Sequence, residues 1–162
     1  MSLSGYERHQ RGRRVSRRVL RGFDPAAFAT RRRDAGLSVS DLARLSGHSL
    51  STIHHWEAGR RTPQVDILAA VMAIIGVPIE AVVRIASDER YPGDWRVLTG
   101  LTQPQLAAKA QLATATVQRI ERGEYPLSDA NADKLAELLG ISPQTYRQAY
   151  LRVRQRPPGT SC

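Results

Sequence analysis

The stretch GLTQPQLAAKAQLATATVQRIERG, residues 100–123, decides how the rest of the chain is read. Shifted by 64 positions it falls on GLSVSDLARLSGHSLSTIHHWEAG, residues 36–59, without a gap. Gly36, Leu37 and Ser38 meet Gly100, Leu101 and Thr102, and Leu42 and Ala43 meet Leu106 and Ala107. Thr52, Ile53, Glu57 and Gly59 meet Thr116, Val117, Glu121 and Gly123, and the pairing ends with Gly76 and Val77 on Gly140 and Ile141. Identity is low but the apolar pattern agrees, which is how an internal repeat of one structural unit reads.

Each copy reads as a run of short helices. In the first, Pro25 opens a helix to about Asp34, Gly36 ends it, and Ser38 followed by Asp41 has the spacing of an N-cap with an acidic third residue. A second helix runs to about Leu45. Gly47 supplies a tight turn, and Ser49 caps a third helix that points Ile53 and Trp56 inward and ends before Gly59. A fourth carries the stripe Leu68, Val71, Met72 and Ile75 as far as Gly76, and Pro78 starts a fifth. The second copy repeats this plan with Ala132, Leu135, Ala136 and Leu139. Its last helix is longer, keeping Tyr146, Ala149, Tyr150 and Val153 at helical spacing through about Arg154, until Pro157, Pro158 and Gly159 stop it. Ser87 to Gly93 is polar and reads as a short connection. The expected division is an arm at 1–22, domains at 23–86 and 94–156 joined by a linker at 87–93, and a tail at 157–162.

A chain of 162 residues holds two such units, each near the lower size limit for a self-sufficient core. The formal net charge of +9 favours polyanionic partners. Residues 1–22 hold seven arginines (Arg8, Arg11, Arg13, Arg14, Arg17, Arg18 and Arg21) against one acid, Glu7, so most of the excess charge sits in that arm. The single cysteine, Cys162, excludes an internal disulfide and a thiolate metal cluster and fits a reducing cytoplasm. Neither a signal-type apolar stretch nor a run of 18 apolar residues is visible.

A helix-turn-helix needs a small residue where two helices cross, a residue that tolerates a sharp turn four positions later, and apolar anchors on the second helix. Ala43, Gly47, Ile53 and Trp56 meet these needs in the first copy. Ala107, Val117 and Ile120 do so in the second, where Gln111 occupies the turn and requires a negative or mildly strained φ.

With Leu106-Ala107 and Val117-Gln118-Arg119-Ile120-Glu121-Arg122-Gly123 in one copy, and Leu42-Ala43 and Ile53 to Gly59 in the other, the chain resembles the lambda-repressor-like (XRE-type) helix-turn-helix family of bacterial and phage regulators. The resemblance covers roughly 26–85 and 91–150. It implies an all-α protein of two consecutive five-helix domains behind a basic N-terminal arm, and double-stranded DNA as partner. By family position, Ser49, Leu50, Ser51 and His55, with His54 beside them, face base edges in the first copy. Ala113, Thr114, Ala115 and Arg119, with Gln118, do so in the second. Ser38, Arg60, Arg61, Thr102, Gln103 and Arg122 are the backbone candidates. Val39 stands where the family commonly has Gln, whereas Gln103 matches.

Plainer readings stand beside these. The arginine run fits a solvated tail as well as a DNA arm, and its Val15, Val19 and Leu20 would permit a basic amphipathic helix on an anionic membrane. His48, His54 and His55 lack the accompanying Cys or carboxylate set of a metal site. Glu57 and Glu121 read as structural acids near a helix end, and no nucleophile-base-acid set or phosphate-cradling glycine loop appears, so no enzyme, cofactor or small-molecule ligand is expected. The resulting expectation is a cytoplasmic, nucleoid-associated transcriptional regulator of repressor type, of phage-immunity or mobile-element kind, reading an asymmetric site as a single chain. The alternatives are a homodimer, a nonspecific architectural protein, and an antitoxin-like regulator in which one domain binds DNA and the other a partner protein.

Overall fold

The computed structural model describes residues 19–160. The arm positions Arg8, Arg11, Arg13, Arg14, Arg17 and Arg18 lie outside the described residues, as does Cys162, whereas Arg21 lies inside them. Nine α-helices form among the described residues. The first half contains α1 (Pro25–Asp34), α2 (Val39–Ser46), α3 (Leu50–Glu57) and α4 (Val65–Ile75). The second contains α5 (Pro92–Leu98), α6 (Gln103–Ala110), α7 (Thr114–Glu121), α8 (Asp129–Leu139) and α9 (Pro143–Gln155). Bounds of α2 and α6, α3 and α7, and α4 and α8 differ by 64 positions at both ends. The repeat in sequence is a repeat in structure.

Local chemistry sets these bounds. Ser38 Oγ accepts from the Asp41 N–H (3.0 Å) while Asp41 accepts from the Ser38 N–H (3.0 Å), and Thr102 and Gln105 build the same box on α6. Ser49 caps α3 through the Thr52 N–H (3.1 Å), but Ala113, its twin, has no side chain to cap α7. Gly47 takes the turn at φ 71° and Gln111 takes it at φ 56°. Of the two options open at Gln111, a negative or a mildly strained φ, the strained one is taken. The left-handed conformation costs an L-residue about 1–2 kcal/mol, and the second domain carries that strain.

The first core gathers Phe28, Leu42, Ile53, Trp56, Leu68 and Met72, with Trp56 edge-on to Phe28 at 6.2 Å between ring centroids. The second gathers Leu106, Val117, Ile120, Leu135 and Tyr146. The fifth helix expected after Pro78 is only a 3-10 turn, Ile79–Ala81. Val83 leaves it to bridge Phe23, with Asp24 N–H donating to Val82 O and Arg84 N–H to Gly22 O, each at 2.8 Å. In α9, by contrast, Tyr146, Ala149, Tyr150 and Val153 all bury, and the helix continues to Gln155.

Residues 87–93 do not run as an extended linker. Ser87–Glu89 is a 3-10 turn and Pro92 already belongs to α5. Arg90 is buried between them, donating to Ile85 O (3.0 Å) and Glu80 (2.6 Å) and lying over the Trp95 ring at 4.5 Å, while its own carbonyl accepts from Arg152. Val97 and Leu98 of α5 belong to the first domain's core, whereas Trp95 of the same helix packs on the second. Gly100 completes the junction. A Cβ there would stand 2.7 Å from the Ala69 Cβ on α4, so only glycine lets the halves approach this closely. Arg21, expected in a free arm, instead pairs with Asp94 and lies over the Tyr91 ring at 4.4 Å.

Candidate nucleic-acid interface

In both halves a helix pair presents one face to solvent, and the same buried clamp fixes its orientation. Arg32 on α1 reaches the last residue of α3 with Nε to Glu57 Oε1 at 2.5 Å, and donates to Leu37 O at 2.7 Å. Sixty-four positions later Arg96 on α5 reaches the last residue of α7, with Nε to Glu121 Oε1 at 2.7 Å and a bond to Leu101 O at 2.8 Å. The fork of a guanidinium matches a carboxylate in two parallel bonds, which fixes angle as well as distance. The carboxyl ends of α3 and α7 are thereby tied to α1 and α5. The acids were legible in the sequence as structural, but their arginine partners were not, although Arg32 and Arg96 are also in register.

Gln103 joins this clamp, its amide donating to Glu121 Oε2 at 2.7 Å. Its side chain, a backbone candidate by resemblance, is thus directed into its own domain. Val39, the twin, leaves Glu57 with more solvent: the side chain of Glu57 is 14% exposed and that of Glu121 7%. Ser38 and Thr102 are N-caps whose oxygens serve α2 and α6. The positive end of those helices remains directed outward there, the usual place for a phosphate.

On α3 the candidates Ser49, Leu50, Ser51 and His54 are exposed and His55 is half-buried. Leu50 is 49% exposed, a large apolar side chain at the first turn of the helix, with the chemistry to meet a thymine methyl. Ser49 shares its hydroxyl with Thr52 (2.9 Å). His48 lies against Trp56 at 5.3 Å between ring centroids, which assigns it to packing. Arg60 and Arg61 follow α3, both exposed and neither paired with a carboxylate among the described residues.

On α7 Ala113, Ala115 and Arg119 are exposed, and Thr114 and Gln118 half-buried. The Arg119 guanidinium lies over the Tyr125 ring at 5.2 Å. Tyr125 was not singled out by the sequence reading. It limits the directions Arg119 can take while leaving the hydrogen-bonding edge of the guanidinium available. Its carbonyl accepts from the Tyr150 hydroxyl at 2.8 Å, which anchors the loop to α9. The twins of Arg60 and Arg61 are Glu124 and Tyr125, so the two domains carry their cations in different places.

Among the described residues, Asp94, Tyr146 and Asp41 titrate away from their ordinary ranges. Burial pushes the Asp94 carboxyl up, opposed by the Tyr91 N–H and by Arg21. Burial also raises the Tyr146 phenol, keeping it neutral in the core. The Ser38 hydroxyl holds Asp41 low, consistent with its ionised capping role. Among the described residues no cluster of three His, Cys, Asp or Glu is arranged to hold a metal, and no helix is long and apolar enough to cross a membrane.

A family profile described as helix-turn-helix matches the chain twice, over residues 28–82 and 94–146. No curated protein matches the chain.

Proposed function

The chain belongs to the helix-turn-helix family of DNA-binding transcription regulators, and from that premise we propose that it reads an asymmetric operator as a single chain and represses transcription by occupying it. Helices α3 and α7 each enter a major-groove segment. Leu50, Ser51 and His55 read one half-site, and Thr114, Ala115 and Arg119 the other, with Arg119 paired to a guanine through its O6 and N7. Arg60 and Arg61, with Arg8, Arg11, Arg13, Arg14, Arg17 and Arg18 of the N-terminal arm, neutralise phosphates.

The observation that carries the single-chain reading is the junction. Val97 and Leu98 of α5 are built into the first domain's core, and Gly100 abuts Ala69, which supports a fixed placement of α7 relative to α3. Single-domain relatives of this geometry reach two grooves about 34 Å apart by dimerising, which imposes a two-fold operator. A chain carrying two different reading faces on one framework has its second contact made intramolecularly, at high effective concentration.

Selection of bound sequences from random DNA tests the proposal. The expected product is a non-palindromic consensus with an obligatory guanine in one half. A palindromic consensus would replace it with the dimeric reading, and enrichment of no sequence would leave an architectural protein.

A further inference from the structure

We propose that the carboxyl-terminal turn of α9 and the end of α7 form a phosphate site for the DNA backbone, built from Arg122, Arg154 and Arg156. The inference rests on the DNA-binding reading of the second domain. It begins from a deficit: where the first domain places Arg60 and Arg61 after its recognition helix, the second places Glu124 and Tyr125. The same domain carries a last helix that continues well past residue 146, where the family match ends.

That extension returns to the recognition helix. Gly123, immediately after the α7 cap residue Arg122, lies so near α9 that a Cβ would stand 2.9 Å from Arg154 Cγ and 3.2 Å from Val153 Cγ1. Arg156 Nη1 donates to Arg122 O (3.1 Å) and Val153 O (3.3 Å), and Arg154 Nη1 donates to the Tyr150 hydroxyl (3.1 Å). These partners are neutral, and none of the three arginines forms an ion pair among the described residues. The groove they border continues over Pro157 to Thr160 and contains no acidic residue.

Two helix carboxyl ends meet here, and their partial negative charge accommodates the cations in the free protein. A guanidinium has five donors; Arg154 spends one and Arg156 one or two on these neutral partners, leaving the rest for an oxyanion. The groove, of about 260 Å³, is lined by these three arginines and by neutral residues, which suits a phosphodiester of the DNA backbone. Lying beside the end of α7, the site restores to the second domain the backbone contact that positions 124 and 125 no longer supply.

The test measures affinity of the full chain for its selected site between low and moderate salt. Arg154→Gln/Arg156→Gln should flatten the slope of log K against log salt by about 0.9, the contribution of one neutralised phosphate. Base preference should be unchanged, and Arg154→Lys/Arg156→Lys should restore most of the slope. Arg156→Gln alone, beyond the end of α9 and outside both cores, should show about half the effect with an unchanged melting temperature. A wild-type slope in both Gln variants, on DNA that the wild type binds specifically, overturns the phosphate site and leaves the proposed function standing. A wild-type chain that selects no DNA sequence overturns the proposed function, and the site with it.

Discussion

The turn between α2 and α3 closes on Gly47 and Ser49, and the turn between α6 and α7 on Gln111 and Ala113. Both turns are left-handed, both helices keep the same length, and both end in a carboxylate clamped by an arginine 25 residues upstream. The second domain thus reaches the same geometry with a strained residue in the turn and no N-cap side chain. What compensates is the remainder of that domain. Gln103 adds a bond to the clamp, and α9 covers the core where the first domain has only a 3-10 turn. The scaffold therefore tolerates drift at the turn and on the reading face, while the clamp and the apolar anchors set the helix angle.

Breaking the clamp should have the largest effect. Arg96→Met leaves Glu121 buried with only Gln103 beside it and should cost about 3–5 kcal/mol in denaturant unfolding. Arg32→Met should fall at or below the low end of that range, because Glu57 keeps more solvent. Equal losses would mean that burial does not distinguish the two copies.

The glycine twins separate the junction from the turn. Gly36 and Gly100 both hold φ near +74°, at 73° and 74°, but a Cβ at Gly36 meets nothing within 4 Å. Gly36→Ala should cost about 1 kcal/mol of backbone strain. Gly100→Ala should cost that plus about 1–3 kcal/mol of overpacking against Ala69. Matching melting temperatures would argue that the halves do not press on each other there.

On DNA, Arg119→Ala should lose about 1–3 kcal/mol on the preferred site and relax preference at one base pair. Arg60→Ala and Arg61→Ala should instead weaken all sequences alike and each flatten the salt slope by about 0.9. If Arg119→Ala behaved like the latter pair, the residue would be a phosphate contact held by Tyr125. The smallest expected change is a gain: Gln111→Gly and Ala113→Ser should each stabilise the chain by about 1 kcal/mol, relieving the turn and restoring the cap. Thermal unfolding measures both, and a loss at position 111 would show that the Gln side chain contributes packing that outweighs its backbone cost.

The repeating helices were legible in the sequence because their determinants are local. Ser38 with Asp41 and Thr102 with Gln105 announce helix starts, and Gly76 and Gly140 announce ends, within a few residues of the apolar stripes they bound. Contacts made across long separations were hidden. Arg32 and Arg96 carry no local mark of their role, because each meets its acid 25 positions away in sequence. Arg90 sits in a polar segment that composition marks as a connection, yet it is buried, and Val97, inside the expected second domain at 94–156, packs into the first core. Arg21 shows the same limit, since nothing local separates it from the arginines before it. The base-reading candidates on α3 and α7 come from family position, and the support that Tyr125 gives Arg119 depends on how the loop after α7 folds back.

The claim that both copies act together on one framework is tested most directly by stoichiometry and footprint on a selected site. One chain per site, protecting about 15–20 base pairs of asymmetric sequence, is the expected result from the one-turn spacing of adjacent grooves. Two chains on a perfect palindrome, each protecting DNA through a single domain, would contradict it and reassign the other domain to dimerisation or to a protein partner.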